Sequence, residues 1–186
     1  MKAQIRTHPE TQVEPLSTRV ALHPFLAGMN RAHLTLLTDC AVVRHFKTGQ
    51  TILQKGEFAN GFYLIETGKV ALESEVGFRE SIAIQTVSAG DLLGWLWMFP
   101  PYIWQFSARA VEPTTVLFFY AAILREYCEK DHSLGYELLK RISSVMVTRL
   151  QATHEQILSI YSRYPSNKTL TGQSAFAPAQ QHPVRA

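Results

Sequence analysis

Cysteine is scarce in this chain, as are the residue patterns on which metal centres and disulfide-rich folds depend. The 186 residues include two cysteines, Cys40 and Cys128, which lie far apart in the sequence. This spacing predicts neither a disulfide scaffold nor a metal cluster. The low number fits a reducing compartment, so we expect a cytoplasmic protein. The seven histidines are scattered, and only His45 falls among the predicted strands, so we expect no metal site and no cupin-type metal enzyme.

Long apolar runs are also missing. No stretch approaches the roughly 18 apolar residues of a membrane span, and the N-terminus lacks the apolar core of a signal peptide. No Ser/His/Asp or Cys/His signature is present either, so we expect no enzyme. The sequence therefore predicts a protein without catalytic residues that does not enter a membrane.

An excess of charge is absent from the middle of the chain. The net charge of +3 arises in the two tails, because the 13 Lys and Arg residues between positions 23 and 163 are balanced by 13 Asp and Glu. A charge-balanced core is not typical of a DNA-binding domain. We therefore expect no specific DNA binding.

Composition divides the chain into four parts. We predict a loose, polar arm over residues 1–22, a β-rich domain over 23–132, a long helix over 133–163, and a disordered tail over 164–186 that is rich in Pro, Gln, Ser and Thr. Between residues 41 and 120, Gly-containing turns separate short runs of β-branched and aromatic residues. This pattern favours a β-sandwich or jelly roll.

Helical patterns flank the strands. Pro24 suits the start of a short helix, and Asn30 is placed to cap a second one. After the strands, residues 121–130 predict a short helix, and Ser133 is a suitable cap for the long one.

An apolar stripe with a spacing of three or four residues runs along the long helix. It predicts a helix-mediated homodimer, although the same stripe would also suit packing on the β-domain. The predicted seam consists of Leu139, Ile142, Met146, Leu150, Thr153, Ile157 and Ile160.

Four segments carry a family resemblance: residues 46–53, 56–65, 68–70 and 89–91. Their Gly spacing and the Phe-Tyr-Leu-Ile strand resemble the sensor half of the catabolite-activator (Crp/Fnr-like) superfamily, over about residues 23–163. The resemblance implies a mainly β fold with flanking helices. In detail, it implies an eight-stranded jelly-roll β-barrel, short N-terminal helices, a short helix and a long C-terminal helix.

The resemblance also places a ligand-binding loop, the phosphate-binding cassette, over residues 91–110. In the family this loop reads Phe-Gly-Glu and later Arg-Ser/Thr-Ala; the Glu contacts the ribose and the Arg pairs with the cyclic phosphate. Here Trp95 stands at the Glu position, and Gln105 or Trp104 at the Arg position. A buried phosphate without a cationic partner is unfavourable by several kcal/mol, so we do not expect tight cyclic-nucleotide binding.

Other residues complete the predicted pocket. Thr153 matches the position whose Thr contacts the purine in cyclic-AMP-responsive relatives, and Arg109 is expected to point outward from its strand. The candidate pocket residues are Gly94, Trp95, Trp104, Gln105, Phe106, Ser107 and Thr153.

Six aromatic residues crowd the cassette: Trp95, Trp97, Phe99, Tyr102, Trp104 and Phe106. One interpretation is that the rings fill the pocket as core. The other is that they line a site for an apolar ligand or form a surface for a protein partner. The sequence leaves both open.

Three functional classes follow. The leading one is a non-enzymatic sensor or adaptor without a cofactor, because the 23 residues after position 163 are too few for a helix-turn-helix domain. The alternative is a protein that binds cyclic AMP or GMP through atypical contacts, and an enzyme is the least favoured. The cassette is similar to that of stand-alone domains associated with nickel–iron hydrogenase operons, which implies an unidentified, hydrogenase-related protein partner.

Overall fold

The computed structural model of the chain describes residues 14–76 and 80–163. Contacts divide the chain into two units, one up to Met146 and one from Val147 onward. All strands belong to the first unit. The helices are α1 Leu16–Leu22, α2 Arg31–Asp39, α3 Ala121–Lys130 and α4 His132–Arg163, with short 3-10 helices at Pro24–Leu26 and Leu96–Met98.

Eight strands are present in the described residues, as the resemblance implied. They are β1 Ala41–Phe46, β2 Thr51–Leu53, β3 Gly61–Thr67, β4 Lys69–Val76, β5 Glu80–Ser88, β6 Leu92–Leu93, β7 Ser107–Ala110 and β8 Thr114–Tyr120. They pair antiparallel in two four-stranded sheets, ordered β1-β8-β3-β6 and β2-β7-β4-β5. The architecture is mainly β with flanking helices, and closure into a barrel stays a prediction.

Strand β3 lies at the centre of the core because both of its faces are covered. On one face Phe62 stacks on Phe119, with 4.5 Å between ring centroids. On the other face Tyr63 packs against Phe118 at 4.8 Å. Gly61 has no room for a side chain, since an added Cβ would lie 2.5 Å from the Phe118 ring. Because both faces of β3 are buried, its sequence is a continuous apolar run and does not alternate between apolar and polar residues.

The prediction of a loose arm up to residue 22 is wrong for its last part, which forms α1. Leu16 and Val20 lie four positions apart on one helix face, and Val20 is fully buried. Arg19 pairs with Glu66 of β3, which ties this helix to the sheet. The burial of one apolar face stabilises a helix too short to persist alone. Residues 1–13 lie outside the described residues.

Caps explain where the other helices begin. The side chain of Asn30 accepts a hydrogen bond from the backbone N–H of His33, as predicted for α2. The prediction for α4 is wrong, because its cap is Asp131 and not Ser133. The Asp131 carboxylate accepts from the N–H groups of Ser133 and Leu134. A carboxylate satisfies the free N–H groups of a helix start as a hydroxyl does.

The two parts of α4 differ in burial. In the first unit Leu134, Leu138 and Ile142 are buried in the core. Ile142 therefore leaves the predicted seam, because its side chain is 1% exposed within the single chain. In the second unit the apolar side chains of α4 are exposed: Val147, Leu150, Ile157, Leu158, Ile160 and Tyr161. Among the described residues, no helix combines the length and apolar character needed to cross a membrane.

Candidate functional site

The predicted cassette is a loop between β6 and β7. It leaves β6 through Gly94, whose φ of 81° is a left-handed conformation that favours glycine. The 3-10 helix Leu96–Met98 follows, and then a cis peptide bond between Pro100 and Pro101. Tyr102 also has a positive φ, of 59°, before the chain returns into β7. Two left-handed residues therefore set the shape of the loop.

The return limb of this loop is paired with residues 56–59. The N–H of Trp104 donates to the carbonyl of Glu57 at 2.9 Å, and the carbonyl of Trp104 accepts from Gly56 at 2.9 Å. The N–H of Ala59 donates to Tyr102 at 2.6 Å. Because its N–H is already bonded, Trp104 does not present a free backbone donor for an anion.

The side chain of Trp104 points into the domain and covers Gly94. A Cβ placed on Gly94 would lie 2.7 Å from the indole carbon Cη2, and the Trp104 residue is only 3% exposed. Gln105 is exposed, and its amide donates to the carbonyl of Ile103 at 3.3 Å. The two positions that matched the family's arginine thus face opposite ways, and an uncharged ring occupies the inner one.

The remaining cassette residues of the prediction lie near each other but differ in exposure. Trp95 and Phe106 are half-buried, and their rings meet edge to face at 6.5 Å. The hydroxyl of Ser107 accepts from the backbone N–H of Lys55 at 3.1 Å. This part of the loop is therefore held by its own contacts.

Arg109 points outward, as the strand alternation predicted. Its neighbours Ala108 and Ala110 are buried, whereas its own side chain is 47% exposed. The guanidinium contacts Glu73 at 3.2 Å and donates to the carbonyl of Gly49 at 2.8 Å. The arginine near the end of the cassette is thus engaged on the outer face of the sheet.

Trp97 is part of the core. It is 0% exposed and stacks on Phe62 with 5.7 Å between ring centroids. Its carbonyl accepts from Arg125 at 2.8 Å. Its indole N–H has no partner among the described side chains and backbone. The ring therefore stabilises the core by packing, although its buried N–H group is left without a hydrogen bond.

Thr153, the predicted purine contact, lies on α4 in the second unit. It is exposed, and its hydroxyl donates to the carbonyl of Arg149 at 2.9 Å, one turn earlier in the same helix. Within its own unit the hydroxyl is therefore already hydrogen-bonded.

A groove of about 460 Å³ lies at the N-terminal side of the first unit, and sequence reasoning missed it. None of the predicted site residues lines it. Its walls include Arg19, His23, Ile65, Glu66 and Gly90. They come from α1, β3 and the turn before β6, and no local motif marks such a long-range meeting of residues.

His23 is the buried titratable group of that groove. Its Nδ1 accepts from the N–H of Phe25 at 3.3 Å, so the proton sits on Nε2, which donates to the carbonyl of Ile65 at 3.1 Å. Burial lowers the pKa of His23, against smaller opposing effects of that hydrogen bond and of Glu66 and Asp91. Burial thus favours the neutral ring, and the two backbone contacts fix its tautomer and orientation.

A Ser/His/Asp cluster is present but lacks the geometry of a catalytic triad. Nε2 of His33 lies 3.1 Å from both Asp131 and Ser133. The Ser133 hydroxyl donates to Asp131 at 2.7 Å, so its proton is not directed at a base on His33. The cluster joins α2 to the start of α4. The sequence did not reveal it, because its members are about a hundred positions apart.

Metal and thiol chemistry receive no support in the described residues. No group of His, Cys, Asp and Glu in residues 14–76 and 80–163 is arranged to hold a metal ion. Burial raises the pKa of Cys40 to about 12 and that of Cys128 to about 11, so both thiols are protonated at neutral pH.

Comparison with known proteins agrees with this architecture. Residues 43–131 match the family described as "Cyclic nucleotide-binding domain". No curated protein sequence is similar enough to count as a relative. The segment therefore has the fold of a cyclic nucleotide-binding domain.

Three solved structures illustrate the likeness. A protein from Geobacter metallireducens GS-15, described as cyclic nucleotide-binding, is 25% identical with a TM-score of 0.64; the match covers 72% of this chain and 97% of that one. The Thermus thermophilus catabolite activator protein is 19% identical with a TM-score of 0.59, covering 75% and 63%.

The third is the regulatory subunit of a cAMP-independent protein kinase A from Trypanosoma brucei. It is 21% identical with a TM-score of 0.58, covering 74% of this chain and 47% of that one. The structure is of a mutant with three substitutions, one of them Thr to Arg, bound to cAMP.

Proposed function

We propose that this chain, whose residues 43–131 have the fold of a cyclic nucleotide-binding domain, is a non-enzymatic regulatory or adaptor protein that does not depend on a cyclic nucleotide. The observation that supports this most strongly is the Trp104 ring against Gly94, with 2.7 Å to the position of an added Cβ. A side chain of the protein thus occupies space beside the turn that the family resemblance assigns to the ligand. The cassette is then a part of the core.

The charges around the cassette support the same proposal. A cyclic phosphate needs a cation or several N–H donors to offset its desolvation. The inner cassette position holds Trp104, and Arg109 is engaged by Glu73 on the outer face. The Trypanosoma regulatory subunit offers a parallel, since it is described as cAMP-independent and its cAMP-bound form carries an introduced arginine.

A second candidate function is a sensor that binds cyclic AMP or GMP through atypical contacts. The match of residues 43–131 to the cyclic nucleotide-binding family favours it. In this case Trp104 swings away from Gly94 when the nucleotide enters, and backbone N–H groups bind the phosphate.

Calorimetry of the purified protein with cyclic AMP and cyclic GMP tests the two functions. We expect no saturable heat at millimolar nucleotide. Trp104→Arg combined with Trp95→Glu opens the space beside Gly94 and supplies both missing charges, so this variant should gain binding. Gln105→Arg with Trp95→Glu is the matched control and should not, because position 105 is exposed. Binding of either nucleotide by the unmutated protein at micromolar concentration would contradict the adaptor proposal and support the sensor.

We also propose that the protein is a homodimer formed through α4. The exposed apolar side chains of the second unit, among them Leu150 and Ile157, form one helix face that a second copy would cover. Ile157→Glu places a charge in that face and should give monomers in light scattering. Ser159→Glu adds the same charge on the exposed face opposite Leu150 and should leave a dimer. A monomeric unmutated protein at tens of micromolar contradicts the proposal.

A further inference from the structure

An exposed apolar surface lies beside the cassette, on its outer side. We call it the outer patch and define it by four side chains. Phe58 is 56% exposed, Tyr120 is 40% exposed and Ile103 is 36% exposed, and the half-buried Tyr102 directly precedes Ile103 in the loop. Large rings exposed together on one surface are typical of binding sites rather than of an ordinary soluble surface.

Ring and backbone contacts link the segments that carry the patch. The rings of Phe58 and Tyr102 are 6.3 Å apart, and Phe58 forms a β-bridge with Ile103. Tyr120 pairs with Gly61, three positions after Phe58 in the same segment. The patch therefore joins the end of β8, the start of β3 and the tip of the cassette.

Two arginines lie near rings of the patch, and Arg44 also stacks on the buried Phe118 beneath Tyr120. The guanidinium of Arg44 lies 3.7 Å from the centroid of Phe118 and 5.8 Å from that of Tyr120. Arg125 lies 4.8 Å from the centroid of Tyr102. A stacked guanidinium keeps its N–H edge available for a planar acceptor such as a carboxylate.

Neither arginine is neutralised within the described part of the chain. Arg109 and Arg19 form ion pairs with glutamates, whereas Arg44 and Arg125 have no carboxylate partner among residues 14–76 and 80–163. Arg44 contacts the hydroxyl of Tyr63, and one N–H of Arg125 is used by the carbonyl of Trp97, so both side chains are held in place. Each guanidinium keeps further N–H groups and a charge that no described carboxylate balances.

The patch is also rigid. The cassette limb that carries Tyr102 is paired with residues 56–59 through three backbone hydrogen bonds, the shortest of 2.6 Å between Ala59 and Tyr102. The carbonyl of Asn60 accepts from Ala121 at 2.9 Å, which fixes the segment to the start of α3. A surface ordered before binding loses less entropy when a partner docks.

We infer that the outer patch is the docking surface for an acidic, apolar peptide segment of a partner protein. Apolar side chains of that segment cover Phe58 and Tyr120, and its carboxylates meet the N–H edges of Arg44 and Arg125. A second copy of this chain does not fit, because two-fold contact would bring arginines against arginines. The exposed Glu57 directly precedes Phe58 and repels acidic groups of the peptide. This repulsion favours an orientation of the peptide in which its carboxylates lie away from Glu57. The inference rests on the proposed adaptor role for the existence of a partner.

The test selects peptides from a phage-displayed library of random twelve-residue sequences on the immobilised full-length protein. We expect the selected peptides to combine Asp or Glu with Leu, Phe or Trp. Fluorescence anisotropy with one synthetic selected peptide then measures affinity. Phe58→Ser combined with Arg44→Gln should weaken binding by about tenfold or more, as expected when central anchors of an interface are removed.

Two controls separate docking from general effects. Val111→Ser removes an apolar side chain that is 51% exposed elsewhere on the unit, and Arg31→Gln removes a surface charge. Both variants should bind the peptide as the unmutated protein does, and all variants must keep their circular dichroism spectrum and melting temperature. The inference is overturned if no peptide family is selected, if selected peptides lack acidic residues, or if the patch variants bind normally. Binding of phosphatidylserine vesicles that depends on Arg44 would also overturn it, in favour of a membrane surface.

The outcome is independent of the nucleotide experiments. Failure of the peptide test leaves the calorimetric prediction and the helix dimer untouched. Conversely, nucleotide binding by the unmutated protein removes the adaptor proposal while a docking surface on the outer patch remains testable.

Discussion

The rings inside the cassette and the rings of the outer patch are all large and aromatic, yet they have opposite environments. Trp97 and Trp104 are 0% and 3% exposed, whereas Phe58 and Tyr120 are 56% and 40% exposed. The inner rings face Phe62 and Gly94, which are buried positions between the sheets and the loop. The outer rings stand at the ends of β-segments, where no described layer covers them. Aromatic content alone therefore does not distinguish core from binding surface.

The largest expected difference between the two sets is in stability. Trp97→Ala removes a fully buried ring that stacks on Phe62, and we expect a loss of about 3–5 kcal/mol in the free energy of unfolding. Tyr120→Ala removes an exposed ring, and we expect a loss of about 1 kcal/mol or less. Urea unfolding followed by circular dichroism measures both. Equal losses would mean that the outer ring is as much part of the core as the inner one.

A pair of glycines tests the contact inside the cassette. Gly94 and Gly56 have similar positive φ angles, of 81° and 87°. An added Cβ meets Trp104 at Gly94, whereas nothing lies within 4 Å of a Cβ at Gly56. Gly56→Ala should therefore lower the free energy of unfolding by only the cost of placing alanine at a positive φ, about 1–2 kcal/mol. Gly94→Ala should lower it by about 1–3 kcal/mol more, because the added Cβ also meets Trp104.

Thermal unfolding of the two glycine variants side by side gives that difference. If Gly94→Ala melts together with Gly56→Ala, the Trp104 ring moves aside easily. The space beside Gly94 would then be open to a ligand.

A smaller effect concerns pH and the buried His23. Because burial lowers the pKa of this residue below its ordinary value of 6.5, the unfolded chain binds the proton more readily than the folded one. The contribution of His23 to stability is therefore fully present above pH 6.5 and is lost as the pH falls through and below that value. His23→Gln should reduce this part of the pH dependence, measured as the difference from the unmutated protein.

His45 provides the control for that measurement. It is exposed, and its Nδ1 lies 3.1 Å from the hydroxyl of Thr115. His45→Gln should leave the slope of stability against pH between 5 and 7 close to that of the unmutated protein. The same change of slope in both variants would contradict the assignment to His23.

The smallest expected effect is no change at all. The three tryptophans of the chain all lie in the cassette, at positions 95, 97 and 104, so intrinsic fluorescence reports on this loop. We expect the emission to stay constant when millimolar cyclic AMP is added, because two of the rings are buried and the inner cassette position holds the uncharged Trp104. A saturable change with a micromolar midpoint would show instead that the inner rings respond to nucleotide.

Much of the fold was predictable from local signals. The amide of Asn30 caps α2, α3 begins at Ala121 and ends at Lys130, and the Phe62–Ile65 run lies in β3, all as expected. These features depend on neighbouring residues, whose caps, turns and apolar runs are visible in the sequence. The start of α4 was misassigned because Asp131 and Ser133 are both good caps, and only the backbone path decides between them.

The place of the candidate site comes from the family resemblance and stays a prediction. The resemblance left Trp104 and Gln105 as equal candidates for one position. The structure places Trp104 inside and Gln105 outside, because the return limb pairs with residues 56–59 and fixes which side chains point inward. The outer patch, the groove near His23 and the His33 cluster were not foreseen, since each joins segments far apart in sequence.

The sequence by itself determined the succession of strands and helices, the turns at glycine, and the absence of charge at two positions of the cassette. These are properties of residue types and their spacing, which act over one turn of helix or one strand. Only the tertiary structure decided which of many similar rings became core and which stayed exposed beside Arg44 and Arg125. That choice depends on what lies opposite each side chain, and the partners, such as Gly94 for Trp104, come from other segments of the chain.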